Sequence, residues 1–235
     1  NEFTELPQKE IISGTKKLSE GHSIYDFWLR EYAGVDETDG SALYYMDIKD
    51  ADGNVTGRET TKDQNAASYY YKNSSIPDLY GGVTNAFSWK GLELSVLVTY
   101  QLGGYLYDSN WAGLMHTGAF GTHWSTDILN RWQKAGDKTD VPRLQNNYTA
   151  GTAPSSRYLL DASFWSLRNI TLTYTLPSNW MKPLDIQSAK LFATGDNLGL
   201  LTSKKGMDPQ QNFGGTTDWT YVPSKIISFG VNVTF

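Results

Sequence analysis

The last eleven residues, Lys225-Ile226-Ile227-Ser228-Phe229-Gly230-Val231-Asn232-Val233-Thr234-Phe235, read as one amphipathic strand ending on an aromatic. Ile227, Phe229, Val231, Val233 and Phe235 share one face. Ile226, Ser228, Gly230, Asn232 and Thr234 share the other, which is polar apart from its first residue. Such period-2 alternation sets one face against something apolar and the other against something wet. At ~3.3 Å per residue and a ~45° tilt, eleven residues rise about 26 Å, the height of the apolar band of a transmembrane β-barrel.

Working back along the chain, the same pattern recurs. Residues 187–202 alternate more weakly. In 161–176, Ile170, Leu172, Tyr174 and Leu176 oppose Asn169, Thr171, Thr173 and Thr175. In 92–107 the alternation is cleanest, with Leu92, Leu94, Val96, Val98, Tyr100 and Leu102 opposite Glu93, Ser95, Leu97, Thr99 and Gln101. Residues 81–90 precede it, and Lys90-Gly91 reads as a tight hairpin turn between the two. Residues 22–32 (HSIYDFWLREY) form a sixth candidate with a mixed pattern.

The connections alternate in length. Lys90-Gly91 is minimal and Pro177 to Ile186 is short, whereas 34–80, 107–160 and 203–224 are long and polar. Short turns at one rim and long loops at the other mark an outer-membrane barrel. The expected fold is therefore all-β: a transmembrane antiparallel barrel, of which residues 1–235 supply roughly six carboxy-terminal strands. Six strands do not close such a barrel, and an open sheet in lipid strands its edge groups at several kcal/mol each. More strands are expected from elsewhere. Asn1-Glu2-Phe3-Thr4 is not the start of a signal peptide, so the chain is expected to be the back half of something longer.

Composition narrows the classes. Aliphatic content is low and aromatics are abundant, with 15 Tyr, 9 Phe and 8 Trp beside 22 Gly, which suits a barrel with aromatic girdles. Trp89 and Tyr100 are assigned to that outer surface. A net charge of −5 without a basic block gives no support for nucleic-acid binding. With no cysteine, neither a disulfide framework nor thiol catalysis is available. No run of apolar residues is long enough for a transmembrane helix.

At the level of motifs the chain resembles the carboxy-terminal part of SusC-like TonB-dependent transporters, the SusC/RagA family of Bacteroides-type bacteria. The likeness runs in order along nearly the whole chain. It begins with Gly21-His22-Ser23-Ile24-Tyr25-Asp26-Phe27, Glu31-Tyr32-Ala33-Gly34-Val35-Asp36 and Gly40-Ser41-Ala42-Leu43-Tyr44-Tyr45. The hairpin Tyr80-Gly81-Gly82-Val83-Thr84-Asn85-Ala86-Phe87-Ser88-Trp89-Lys90-Gly91 follows, then Arg131-Trp132 and Asp140-Val141-Pro142-Arg143. Ser156-Arg157-Tyr158-Leu159 leads through Leu167-Arg168-Asn169-Ile170-Thr171-Leu172 to Tyr174-Thr175-Leu176-Pro177. Asp196-Asn197-Leu198, Gly206-Met207-Asp208-Pro209 and the final Phe229 to Phe235 complete it.

The resemblance implies a barrel of about 22 strands plugged by an amino-terminal domain. It implies uptake of oligosaccharides or peptides across the outer membrane of a Gram-negative cell, beneath a SusD-like lipoprotein lid, with TonB acting through the plug. The plug and the first strands are absent from these 235 residues. The remaining strands and plug, the lid, the TonB complex, the barrel-assembly machinery and the lipid membrane are the expected partners. The competing expectation is a soluble β-sandwich module that binds carbohydrate, which also alternates and is rich in aromatics and turns.

Phe235, with Phe229 on the same stripe, is the candidate signal for barrel assembly, against the plainer role of covering lipid. The loop aromatics Trp111, Trp124, Trp132 and Trp219 are candidates for stacking on a sugar or meeting the lid. Their alternative role is to anchor long loops that must fold on themselves. Asp50-Ala51-Asp52-Gly53-Asn54 partly matches a calcium loop but lacks the required Gly and Glu spacing, and Asp52-Gly53 reads better as a hairpin turn. His22, His116 and His123 lack carboxylate neighbours at ligand spacing. Neither a nucleophile elbow nor a phosphate loop is present, and no catalytic residue, metal or cofactor is expected.

Overall fold

Antiparallel pairing organises the chain into two units, and a computed structural model describes residues 4–6, 9–118, 120–211, 213–217 and 219–235. In chain order the strands open with β1 (Glu10–Ser13), β2 (Lys16–Ser19), β3 (Asp26–Arg30), β4 (Tyr32–Val35), β5 (Ala42–Lys49), β6 (Val55–Thr61) and β7 (Tyr69–Ser74). Then come β8 (Leu79–Trp89), β9 (Leu92–Leu102), β10 (Tyr105–Tyr107), helix α1 (Ser109–Leu114), β11 (Leu159–Asp161) and β12 (Phe164–Thr175). The chain closes with helix α2 (Ser178–Met181), β13 (Ser188–Thr202) and β14 (Ile226–Thr234).

The first unit comprises Asn1–Ile76, Tyr105–Asp161 and Asn212–Trp219; the second comprises Pro77–Gly104, Ala162–Gln211 and Thr220–Phe235. In the second, five long strands lie side by side in the order β14-β13-β12-β9-β8, each antiparallel to the next. The hairpin between β8 and β9 closes through Lys90 and Gly91, at φ 46° and 82°. Two consecutive positive φ values give the turn whose twist matches the flanking strands. β8 and β14 each pair on one side only among the described residues.

The first unit is built from segments before β8, between β9 and β12 and between β13 and β14. It holds a four-stranded sheet (β1-β2-β3-β7), a three-stranded one (β4-β5-β6) and the short pair β10-β11. Phe27, Leu29, Tyr107, Met115, Val141 and Tyr158 make one core, and Ala42, Tyr44, Ala67 and Ala153 a second. Two tyrosines of the second core have their hydroxyls tied down. Tyr44 donates to the Ala150 carbonyl (2.5 Å) and Tyr32 to that of Asp140 (2.8 Å).

Several strand bounds differ from the sequence reading. Residues 22–32 are not a long wall strand: only Asp26–Arg30 pairs, within the first unit, and the chain then enters β4 in another sheet. Phe27 and Leu29 are buried in the unit's core, while Lys17 and Arg30 lie over the rings of Trp28 and Tyr69. Those two faces produce the mixed pattern. Residues 92–107 divide into β9 and β10 at Gly103 and Gly104, whose positive φ of 73° and 76° ends the straight run. Residues 161–176 divide likewise into β11 and β12. The stretch 34–80 carries β4 to β7, and its Asp50–Asn54 tip is the hairpin turn of β5 and β6, with Gly53 at φ 86°.

Candidate functional site

The five-stranded sheet has two chemically distinct faces, fixed by register. Residues directly opposite one another across strands project to the same side. One row reads Phe87, Leu94, Leu172, Ala193 and Phe229; another reads Val83, Val98, Leu167 and Gly199. Asn85 is the polar exception on β8 within this face. The opposite face carries Ala86, Ser95, Thr171, Thr194 and Ser228 in one row. Among the described residues of the second unit no other sheet covers the apolar rows, and Phe87 is 62%, Trp89 70% and Phe229 81% exposed. An apolar surface of this extent marks contact with a partner or with lipid.

Near one end of the apolar face, Tyr100 and Trp165 stack with centroids 5.1 Å apart at 28°. Strict alternation would put Trp165 on the polar side with Asn169 and Thr171. A β-bulge between Leu167 and Asn169 inserts Arg168 and restores Trp165 to the side of Tyr100. Trp89 and Tyr174 lie near the opposite end of the same face.

On the polar face Asn169 donates to Asp196 (2.8 Å), and Thr171 donates to Asn169 (3.0 Å). Beyond them a cavity of about 460 Å³ opens beside the ends of β12 and β13, walled by Ser166, Thr202, Met207, Asp208, Lys205 and Lys225 among others. Asp208 accepts hydrogen bonds from the Gln210 amide and side chain (3.0 and 3.1 Å). The cavity joins acidic, basic and hydroxyl groups to an apolar floor, a lining suited to orienting a polar organic molecule. Sequence reasoning did not single it out, because its walls come from two strands and a loop dispersed between residues 166 and 225.

The four candidate tryptophans occupy different neighbourhoods. Trp111, on α1, meets Tyr158 edge-on at 5.2 Å and packs on the first unit's core. Trp132 donates to the Glu37 carbonyl (3.2 Å) and fills the space where Gly40 has no Cβ. Trp124 stacks on His116 at 5.0 Å and donates to its carbonyl (2.9 Å), leaving 42% of the residue exposed. Trp219 is 73% exposed. Phe229 lies on the apolar face, and Phe235 follows the last strand, exposed.

Ion pairs brace the first unit's loops. Lys62 reaches both Asp36 (2.6 Å) and Asp39 (3.0 Å). The Lys62 ammonium and the Thr38 donors hold the Asp36 carboxyl below the usual carboxylate range, and the two carboxylates raise Lys62. Glu31 takes Arg58 and Lys72, each at 2.6 Å; its burial opposes ionisation, yet those two cations bring its carboxyl below the ordinary value. These pairs shape the loops.

No protein-family model matches the chain. Among curated proteins, TonB-dependent receptor P26 of Formosa agariphila is 27% identical over the whole of this chain and TonB-dependent receptor P3 of the same organism 28% over 85% of it. The chain spans about a quarter of the first relative's length (25%) and 20% of the second's. Among solved structures, the RagAB peptide transporter superposes with a TM-score of 0.78 at 29% identity, covering 98% of this chain and 24% of that one. The RagAB peptide importer in its 'open-open' state gives 0.79 at 26% identity, covering 100% and 25%. Along its whole length, in sequence and in fold, the chain is thus related to TonB-dependent receptors and to the RagAB transporter, which bears out the SusC-like resemblance of its motifs.

Proposed function

We propose that this chain is the carboxy-terminal portion of the β-barrel of a TonB-dependent importer, set in the outer membrane of a Gram-negative, Bacteroides-type cell. The observation that carries the reading is the five-stranded sheet with one uncovered apolar face, one polar face and two open edges. Lipid covers the first face, a watery interior meets the second, and further strands of a barrel of about 22 satisfy the edges. A β-sandwich would need a second sheet on the apolar rows, and the second unit has none among its described residues.

Two segments of the first unit connect strands at one rim and the third leads into β8 at that same rim, whereas Lys90-Gly91 and Pro177–Ile186 turn at the other. Those long segments are the extracellular loops, where a SusD-like lipoprotein closes over oligosaccharide or peptide cargo. Trp124 and Trp219 have rings open enough to meet cargo or lid, while Trp111 and Trp132 anchor the loops. TonB acts through a plug supplied outside these residues. The whole is a transporter wall and catalyses no reaction.

The test uses the full-length receptor in its own cell. It should fractionate with the outer membrane and migrate as a heat-modifiable species. Its deletion should abolish growth on one oligosaccharide or peptide class. Recovery of the receptor as a soluble periplasmic protein would overturn the reading.

A further inference from the structure

β13 outruns its neighbour β14. The two pair from Ser188 opposite Thr234 to Asp196 opposite Ile226, whereas β12 stays paired with β13 as far as Thr202 opposite Phe164. Gly199, Leu200, Leu201 and Thr202 therefore have a strand on one side only among the described residues. On their other side the chain returns through Val222 and Pro223 without forming a ladder. One bond crosses the gap, from Asn197 Nδ2 to the Ser224 carbonyl (3.1 Å). The cavity of about 460 Å³ occupies this gap, and all four of those β13 residues line it. A strand edge with unmet N–H and C=O groups is a template for another strand. Pro223, which has no N–H, cannot supply the missing donor at its own position.

Side chains around the edge divide by chemistry. Met207 and Val222 give aliphatic surface beside Leu200, while Lys205 and Lys225 bring two cations. Both lysines are exposed, and neither is ion-paired among the described residues. Asp208 is the one carboxylate of the described lining, and one of its oxygens already accepts from both the Gln210 amide and side chain. The charge surplus is positive. No aromatic ring lines the cavity among the described residues, so a sugar finds no flat face on which to stack.

We propose that this edge of β13 binds an extended acidic peptide by strand addition. The peptide main chain pairs with Gly199 to Thr202, a run of about 13 Å at ~3.3 Å per residue. Its side chains alternate, one set meeting the aliphatic surface and the other, carrying carboxylates, meeting Lys205 and Lys225. The peptide's role as cargo rests on the importer reading, which puts this edge at the rim of the long loops, where cargo enters.

The experiment uses the purified full-length receptor and a fluorescein-labelled peptide of alternating valine and glutamate, followed by fluorescence anisotropy. The peptide should bind, and methylating alternate main-chain amides should weaken it about tenfold, as expected for a few lost hydrogen bonds. Replacing its glutamates by glutamine should weaken it about threefold, and the double variant Lys205→Gln, Lys225→Gln should remove that preference. Absence of binding overturns the proposal. So does equal binding of the methylated peptide, which would leave the β13 edge without a role, or a double variant that keeps the preference for glutamate, which would move the site elsewhere. Displacement by an oligogalacturonate as readily as by unlabelled peptide also overturns it, since the cavity would then select any carboxylate. Membrane fractionation judges the importer reading separately: a receptor that binds the peptide but fractionates as a soluble protein sinks that reading and leaves the strand site standing.

Discussion

Phe192 lays its ring across Gly230 on the neighbouring strand, leaving no room there for a Cβ. The two are directly paired, and both belong to the polar face. A glycine in a terminal strand contributes no side chain to the sheet, and the phenyl ring covers the exposed backbone in its place. Gly230→Ala should therefore displace the ring at a cost of about 1–3 kcal/mol, in the range of overpacking. The heat-modifiable fraction of the receptor in outer membranes should fall. Adding Phe192→Ala should restore part of it, and a single mutant equal to wild type would show that the ring yields freely.

Val96 and Ser95 are adjacent on β9 and lie at the same depth, but they project to opposite faces, Val96 beside Ile170 and Ser95 beside Thr171. On the proposed reading Val96→Arg places a cation in lipid, which near the midplane costs about 2–4 kcal/mol. Ser95→Arg places it in water. Assembled receptor should drop sharply for the first and little for the second. Equal losses would mean that the faces are assigned wrongly.

Much of the five-stranded sheet was legible because a strand with one apolar face carries its apolar residues at alternate positions. Leu92 to Leu102 and Ile226 to Thr234 show it, with Leu97 and Ile226 the apolar residues on the polar side. Trp165 was not legible, since the bulge at Arg168 moves it to the face that strict alternation denies it. Nor were the loop strands. Tyr44 is buried by bonding Ala150, 106 positions away, and no local pattern announces so distant a contact. Phe27 and Leu29 alternate as in a wall strand but serve a packed core, and period alone does not distinguish lipid from protein. The cavity beside Ser166 and Lys225 was missed for a similar reason, being assembled by pairing rather than by sequence proximity.

Lys16 should give the loop unit a measurable pH dependence. Burial lowers its pKa to about 8, with nearby Asp26 pulling the other way, and its ammonium donates to the Tyr25 carbonyl beneath the Phe27 ring. The unfolded chain holds that proton to about pH 10.4. Between these values the unfolded state binds more protons, so stability rises with pH across the interval. Protease resistance of residues 10–30 in the full-length receptor should increase from pH 8 to pH 10. Lys16→Met should flatten that increase, and a decrease over the same range in wild type would contradict the burial argument.

Phe235 offers the sharpest separation of two physical roles. It follows β14, is 82% exposed and continues the apolar stripe of Val231 and Val233. If the stripe merely covers lipid, only apolar area matters, and burying a side chain of this size stabilises by about 1.5–3 kcal/mol. Leucine would then serve almost as well. If the assembly machinery reads the terminal ring, Phe235→Leu should lower receptor levels in the outer membrane nearly as far as deletion does. The measurement compares wild type, Phe235→Leu and the truncated chain at equal synthesis rates, by immunoblot of purified outer membranes. A leucine variant at wild-type level beside a depleted truncation assigns the residue to lipid contact. A truncation at wild-type level removes both roles and leaves the exposed ring without a function at this end of the strand.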